Sequence, residues 1–507
     1  MKLKRKAIGG KYKDLIPNGL TTAEEDVYTT ILNTVEKRSQ LAPRRVKTTH
    51  AEDLREDATS VKATTATSVQ VEATTTEAFI AEAERRKSPR LAARSNASQA
   101  ETLGPETLLK ETPGARTARI GQRQARLPDH GPPRIVVITD LAKDFDDLLA
   151  MIVLKELHRL GAIRLLGFVA NLKPADRRAR LGRGALDQLG LTDVPMAIGT
   201  DGLERGHKHK VLDYEFRGSE TFIAPNDRNL PDGQDLLKQI FQDAKQQDYM
   251  VTLLTLSSLM DIALFMDKNR ELLADRLERC VLQGGYTITE NKQLVADLAA
   301  TNNNFAPLHA QRFHTFLYEE KIPSTCFTKV ATFATPIFQN LLNQMANTKV
   351  PVGKYLQEAQ IGQDLYFWQC ASGPEEERFR PFMDEEWFLK NKTTWYSSKK
   401  RPAEVPEGDG IVKWLDKVTA YDCLAAVGTA EDILGGLGVV LPLEVRTDAI
   451  HDVHQTVGVL EELEPGTRVV RKPAEANVDG NKFALVIRAL AIGSLKAVAQ
   501  GLQSNRY

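Results

Sequence analysis

Four aspartates fall within eight residues, Asp140, Asp144, Asp146 and Asp147, in the stretch TDLAKDFDDLLA. Carboxylates crowded this way repel one another unless a cation joins them. An oxygen-only ligand set of this density suits a hard divalent ion such as calcium. The flanking residues indicate how the acids are carried. Ile135, Val136, Val137 and Ile138 form an apolar β-branched run with the composition of a strand buried on both faces. From Asp146 onward, Leu148, Leu149, Ile152, Val153, Leu157 and Leu160 recur at helical spacing. The acids therefore occupy a strand-to-helix turn at the carboxyl end of a first strand, where open α/β sheets keep their sites. Acids that merely complement a helix dipole would account for one or two of the four, not all.

The chain has 507 residues, no formal net charge and a 42% hydrophobic fraction, which suits a soluble protein with a sizeable core. No apolar run approaches the roughly 18 residues of a membrane span, so a membrane partner is not expected. Cys280, Cys326, Cys370 and Cys423 lie far apart, with neither metal-ligand nor disulfide-scaffold spacing, and read as core thiols of a reducing compartment. No signal-peptide pattern opens the chain, and the expected location is cytoplasmic. Residues 1–130 carry a basic excess and few large apolar residues, as in KATTATSVQVEATTTEA and RRKSPRLAARSNAS. They read as a mostly disordered Ser/Thr/Ala-rich extension, with short helices at 22–37 (Thr22 as N-cap) and 75–86. The basic clusters at 2–6 and 85–90 could serve nuclear import; nucleic acid is otherwise not an expected partner.

From about residue 131 to the end, strands and helices alternate, which predicts an α/β domain: a mostly parallel open sheet with helices on both faces. Further strands are expected at 163–169, 195–199, 250–254, 279–282, 324–332, 438–443 and 467–471. Helices are expected at 177–189, 233–248, 307–319 and 483–502. Residues 333–400 read as a helical aromatic-rich insertion, mostly core, with a few rings free to act as a lid. Residues 444–507 form a C-terminal α/β extension, in which His451 and His454 read as surface residues. Asp422, in WLDKVTAYDCLAAV, presents one more acid at the start of an apolar helical run.

Five pieces, in order, resemble the inosine-uridine-preferring nucleoside hydrolases, with a look closest to the divergent eukaryotic branch. TDLAKDFDDLLA is similar to their acidic signature, and Asn171 follows the second strand as a ribose-contacting Asn does there. LLTLSSLMDIA resembles the segment whose carbonyl, here that of Met260, joins the calcium shell. LQGGYTITENKQLVADLAATNNNFAPLHA resembles the glycine pair and ribose loop. AYDCLAAV resembles the late aspartate segment. The resemblance spans roughly residues 133–443. It implies Ca²⁺ held by Asp140, Asp146, Asp147, Asp422 and the Met260 carbonyl, with Asp140 as general base and Asp144 orienting its neighbours near the substrate. It assigns Asn171, Asn302 and Asn303 to the sugar and implies self-association. The sequence departs from the family at four points. The usual Gly is Ala142, the Glu of Glu-x-Asn is absent at 300–303, Asp-Pro is Ala306-Pro307, and the leaving-group His is Tyr421.

The implied reaction is hydrolysis of a ribonucleoside N-glycosidic bond through an oxocarbenium-like transition state. The metal would activate water and hold vicinal hydroxyls, and Tyr421 would be a weak acid toward the departing base. Two other classes compete. A haloacid-dehalogenase-type phosphatase would need a second Asp where Ala142 stands. A non-catalytic hydrolase-like scaffold is favoured by the missing Glu and His and disfavoured by the retained acids.

Overall fold

The computed structural model describes residues 12, 14–41, 131–288, 294–439, 454–457 and 478–502. Seven strands build the central sheet: β1 (Arg134–Thr139), β2 (Arg164–Ala170), β3 (Met196–Ile198), β4 (Val251–Thr255), β5 (Leu277–Gln283), β6 (Ser324–Phe327) and β7 (His454–Val457). Their spatial order is β7-β6-β5-β4-β1-β2-β3, and every pairing is parallel. The expected α/β class is the observed one.

Strand period explains why both faces are covered. Ile135 and Val137 of β1 point into one core, against the helices Asp146–Arg159 and Gly480–Ala499. Val136 and Ile138 point into the other, against Gly233–Gln246, Met260–Arg276 and Pro307–Glu319. All four are fully buried, as expected of an interior strand of the sheet, flanked by β4 and β2. The chain steps outward from β1 through β2 to β3, then returns to β1's other side with β4. The order therefore reverses between β1 and β4, the switch point at which open α/β sheets keep their sites.

The N-terminal helix departs from expectation. Thr22–Leu41 is helical, but its cap is Thr21: the Glu24 amide donates to Thr21 Oγ1 at 3.4 Å and the Thr21 amide to Glu24 Oε2 at 2.7 Å. Val27, Tyr28, Ile31, Leu32 and Val35 are buried. Tyr28 donates to Glu156 Oε1 at 2.6 Å, Arg159 to the Leu15 carbonyl at 2.7 Å and Arg488 to Glu24 Oε1 at 2.9 Å. Residues 14–41 thus belong to the folded body, and the helix expected at 22–37 is packed against it rather than standing in the extension. A 3.6-residue apolar stripe in a polar context outweighs average composition once a partner face exists. The helix at 75–86 and both basic clusters lie outside the described residues.

Other boundaries shift for local reasons. The strand expected to run to 332 stops at Phe327, because the Thr328 side chain accepts from the Val330 amide and caps the helix Lys329–Ala334. Gly438, expected to start a strand, instead ends the helix Glu431–Leu437 in the left-handed region at φ 63°. Residues 440–443, the 467–471 strand and His451 lie outside the described residues, while His454 opens β7. The aromatic segment is helical at Gln339–Ala346, Pro351–Ser372 and Glu385–Lys392. Trp368, Phe388 and Trp395 form its own core, whereas Phe338, Phe382 and Tyr396 are exposed. No described helix is long and apolar enough to cross a membrane.

Candidate metal centre

The turn after β1 delivers its acids in a fixed geometry. Asp146 and Asp147 are the first residues of the Asp146–Arg159 helix, which has no side-chain cap. Asp147 is instead oriented from behind: its Oδ1 accepts from the Thr139 hydroxyl and, at 3.0 Å, from the Asp140 amide. A second helix, Tyr421–Gly428, arrives with its N-terminus facing the first. The Tyr421 amide donates to Asp146 Oδ2 at 2.8 Å and the Asp422 amide at 3.4 Å. Free helix amides and an aligned dipole favour negative charge there.

One carboxylate oxygen each from Asp144, Asp146, Asp147 and Asp422 lie within 4.8 Å of one another. Asp140 stands beside this group rather than in it. Its Oδ2 and that of Asp147 are buried without a hydrogen-bond partner among the described residues. Buried carboxylate oxygens left unpaired are costly, and a hard cation is the group that would satisfy them. The donor set therefore fits a divalent metal, and Asp144 lies within the cluster itself.

Lys143 enters the same cluster, its Nζ 3.0 Å from Asp144 Oδ2. Burial disfavours its charge, but Asp144, Asp140 and Asp146 outweigh that and push its pKa well up. Burial likewise works against the Asp144 carboxylate, yet Lys143 and a hydrogen bond with Asp146 hold it down at about 2. Burial first, and neighbouring carboxylates second, push Asp146, Asp147 and Asp422 well above the carboxylate range. Asp140 is raised by burial, with Lys143 opposing. One ammonium stands among five carboxyl groups, four buried and Asp144 half-buried, so burial and mutual repulsion favour their protonated forms where no metal joins them.

The sugar-binding expectations separate. Asn171 is fully buried, and its amide is spent: Nδ2 donates to the Ser258 carbonyl at 3.0 Å and to Asp261 Oδ2 at 2.8 Å, while Oδ1 accepts from Ser257 at 2.6 Å. It ties the ends of β2 and β4 together. Asn302 donates to the Leu256 carbonyl and Gln283 Oε1, both at 2.8 Å. Asn303 donates to the Gly285 and Asp297 carbonyls at 2.8 and 2.9 Å. The donors of both are used by the fold, leaving their side-chain oxygens to accept. At Gly285 a Cβ would meet Asp297 Oδ2 at 2.9 Å, so Asp297 packs where a side chain would otherwise stand. Met260 opens the helix after β4, at the same sheet edge as the acids. Tyr421 packs edge-on to Phe333, and burial, then Asp146 and Asp144, raise its phenol pKa. That moves it away from neutral pH and weakens it as an acid.

Arg178 is a member of the site with no motif in the sequence. Fully buried, it donates to the Leu141, Leu172 and Lys173 carbonyls at 2.8, 3.0 and 3.1 Å and pairs with Glu215 at 2.7 Å. It also reaches the Asp140 carbonyl at 3.3 Å, so it holds the acid-bearing turn from below. The only sequence-level signal was an Arg on the inward face of an amphipathic helix.

No protein-family profile and no curated protein matches the chain. Among solved structures it is similar to the effector protein XOO4466 (19% identity, TM-score 0.57, 76% of this chain and 99% of that one). It is equally similar to type III effector XopQ complexed with adenosine diphosphate ribose (20% identity, TM-score 0.57, 76% and 100%). A purine-preferring ribonucleoside hydrolase from Gardnerella vaginalis aligns less closely (15%, TM-score 0.44, 71% and 99%). At these identities the likeness to the two effectors is one of fold.

Proposed function

We propose that this chain is a calcium-dependent hydrolase of N-ribosyl bonds, acting on ribonucleoside-type ligands. The observation that carries it is the gathering of Asp144, Asp146, Asp147 and Asp422 within 4.8 Å beside β1's end, with buried oxygens of Asp140 and Asp147 left unpaired. Ca²⁺ bound by these acids, with the Met260 carbonyl as a further donor, would supply water activation and anchorage for vicinal hydroxyls. Asp140, outside the tightest group and with a free oxygen, is suited to take a proton from water at that edge. Asn302 and Asn303 present acceptors to sugar hydroxyls. Ribosyl recognition is supported by the fold likeness to XopQ, whose structure contains adenosine diphosphate ribose, and by the five sequence pieces.

A second reading is a metal-binding module without turnover. The raised phenol of Tyr421 and the committed amide of Asn171 favour it, since neither leaving-group acid nor full sugar contact is then in place. Release of free base from inosine, uridine and nicotinamide riboside, with Ca²⁺ and with chelator, separates the two. Chelator-sensitive turnover supports the hydrolase; binding without turnover supports the module.

A further inference from the structure

The loop after β3 carries Arg205, His207, Lys208, His209 and Lys210 within six residues. It is fastened to the metal centre's surroundings at both ends. The Glu204 amide donates to the Phe305 carbonyl at 3.1 Å, and Glu204 Oε1 meets His309 Nδ1 at 2.7 Å. At the other end His209 Nε2 lies 3.1 Å from Arg178 Nη2, whose guanidinium holds the Asp140 and Leu141 carbonyls. Phe305 meets the His209 ring edge-on at 6.3 Å and lies 5.9 Å below Lys143 Nζ, so loop and acids share one rim.

The backbone is pinned, yet the cationic ends are not. Arg205, His207, Lys208 and Lys210 are exposed, and their side chains make no hydrogen bond or ion pair among the described residues. Repelling one another, these cations do nothing for the fold. They also make no ion pair with the aspartates, whose contacts are with Lys143 and helix amides. A neutral ribonucleoside would leave them unused, whereas a phosphate offers acceptors for several lysine and arginine donors at once.

We propose that this loop is a phosphate subsite, so that the ligands of the centre are nucleoside phosphates rather than free nucleosides. The proposal rests on the ribosyl reading above and narrows it. The test is calorimetric titration of the full chain, at fixed free Ca²⁺, with adenosine, uridine and their 5′-monophosphates. The expected result is binding of at least one monophosphate about tenfold or more tighter than its nucleoside, a preference that shrinks with added salt. In R205A/K208A/K210A the preference should vanish while nucleoside affinity stays. Equal affinity for nucleoside and monophosphate, or a preference that survives the triple substitution, overturns the phosphate subsite alone. Binding of none of the four overturns the ribosyl reading and the subsite with it.

Discussion

The Tyr421 amide donates to Asp146 Oδ2 at 2.8 Å, joining two helix N-termini 275 residues apart in sequence. The contact does two things: it places Asp422 among the acids, and it engages one oxygen of a carboxylate that belongs to the cluster. Asp146 is thus both a candidate ligand and the seam between the first and last parts of the sheet domain.

Replacing Asp146 by Ala should therefore cost more than a ligand. Thermal unfolding in chelator should show D146A destabilised by about 1–3 kcal/mol through the orphaned helix amides. D422N should leave chelated stability unchanged or raised, because it removes a repelling carboxylate. Equal behaviour of the two variants would contradict the division of roles.

Lys143 is a resident cation within the acid group. Its replacement by Met should lower the melting temperature of the chelated protein and tighten calcium binding by about tenfold, since the metal then meets no competing charge. Calcium titration of K143M against the parent reads this directly; unchanged affinity would remove Lys143 from the site's electrostatics.

Ala142 sits at φ 74°, in the left-handed region, where the resembled family has Gly. The strain should be relieved in A142G, which should gain about 0.5–1 kcal/mol in urea unfolding. A loss of stability would mean that the turn depends on the methyl group's packing instead.

The pKa directions set a pH dependence. Asp146, Asp147 and Asp422 are raised above their unfolded values, so the metal-free fold holds more protons than the unfolded chain. Stability from these groups is present at low pH and is lost as pH rises from the ordinary carboxylate range through the raised values. Metal needs the ionised forms. The rise in melting temperature on adding Ca²⁺ should thus grow as pH rises above the ordinary carboxylate range. A calcium effect that is constant or falls with pH would contradict protonated apo acids.

Much of the centre was legible from residue order alone, because strand, turn and helix signals surround the acids and the late aspartate opens an apolar run. Contacts across the fold were not legible. Nothing near Arg178 in sequence shows that it will hold the Asp140 turn, since its partners come from 140–141, 172–173 and 215. The engagement of the Asn171 amide by Ser257 and Asp261 is likewise a contact between separate strand ends that residue order does not show. The N-terminal helix was read with its polar surroundings. Its burial depends on distant residues: Glu156 accepts from the Tyr28 hydroxyl, Arg159 donates to the Leu15 carbonyl and Arg488 donates to Glu24.

The most direct test of the central claim is calorimetric titration of the full chain with Ca²⁺ alongside D147N/D422N. The expected result is one bound ion with proton release in the parent, and no detectable binding in the doubly substituted chain despite an intact far-UV spectrum. Absence of binding in the parent, or binding undiminished by the two substitutions, would contradict a metal centre at the end of β1.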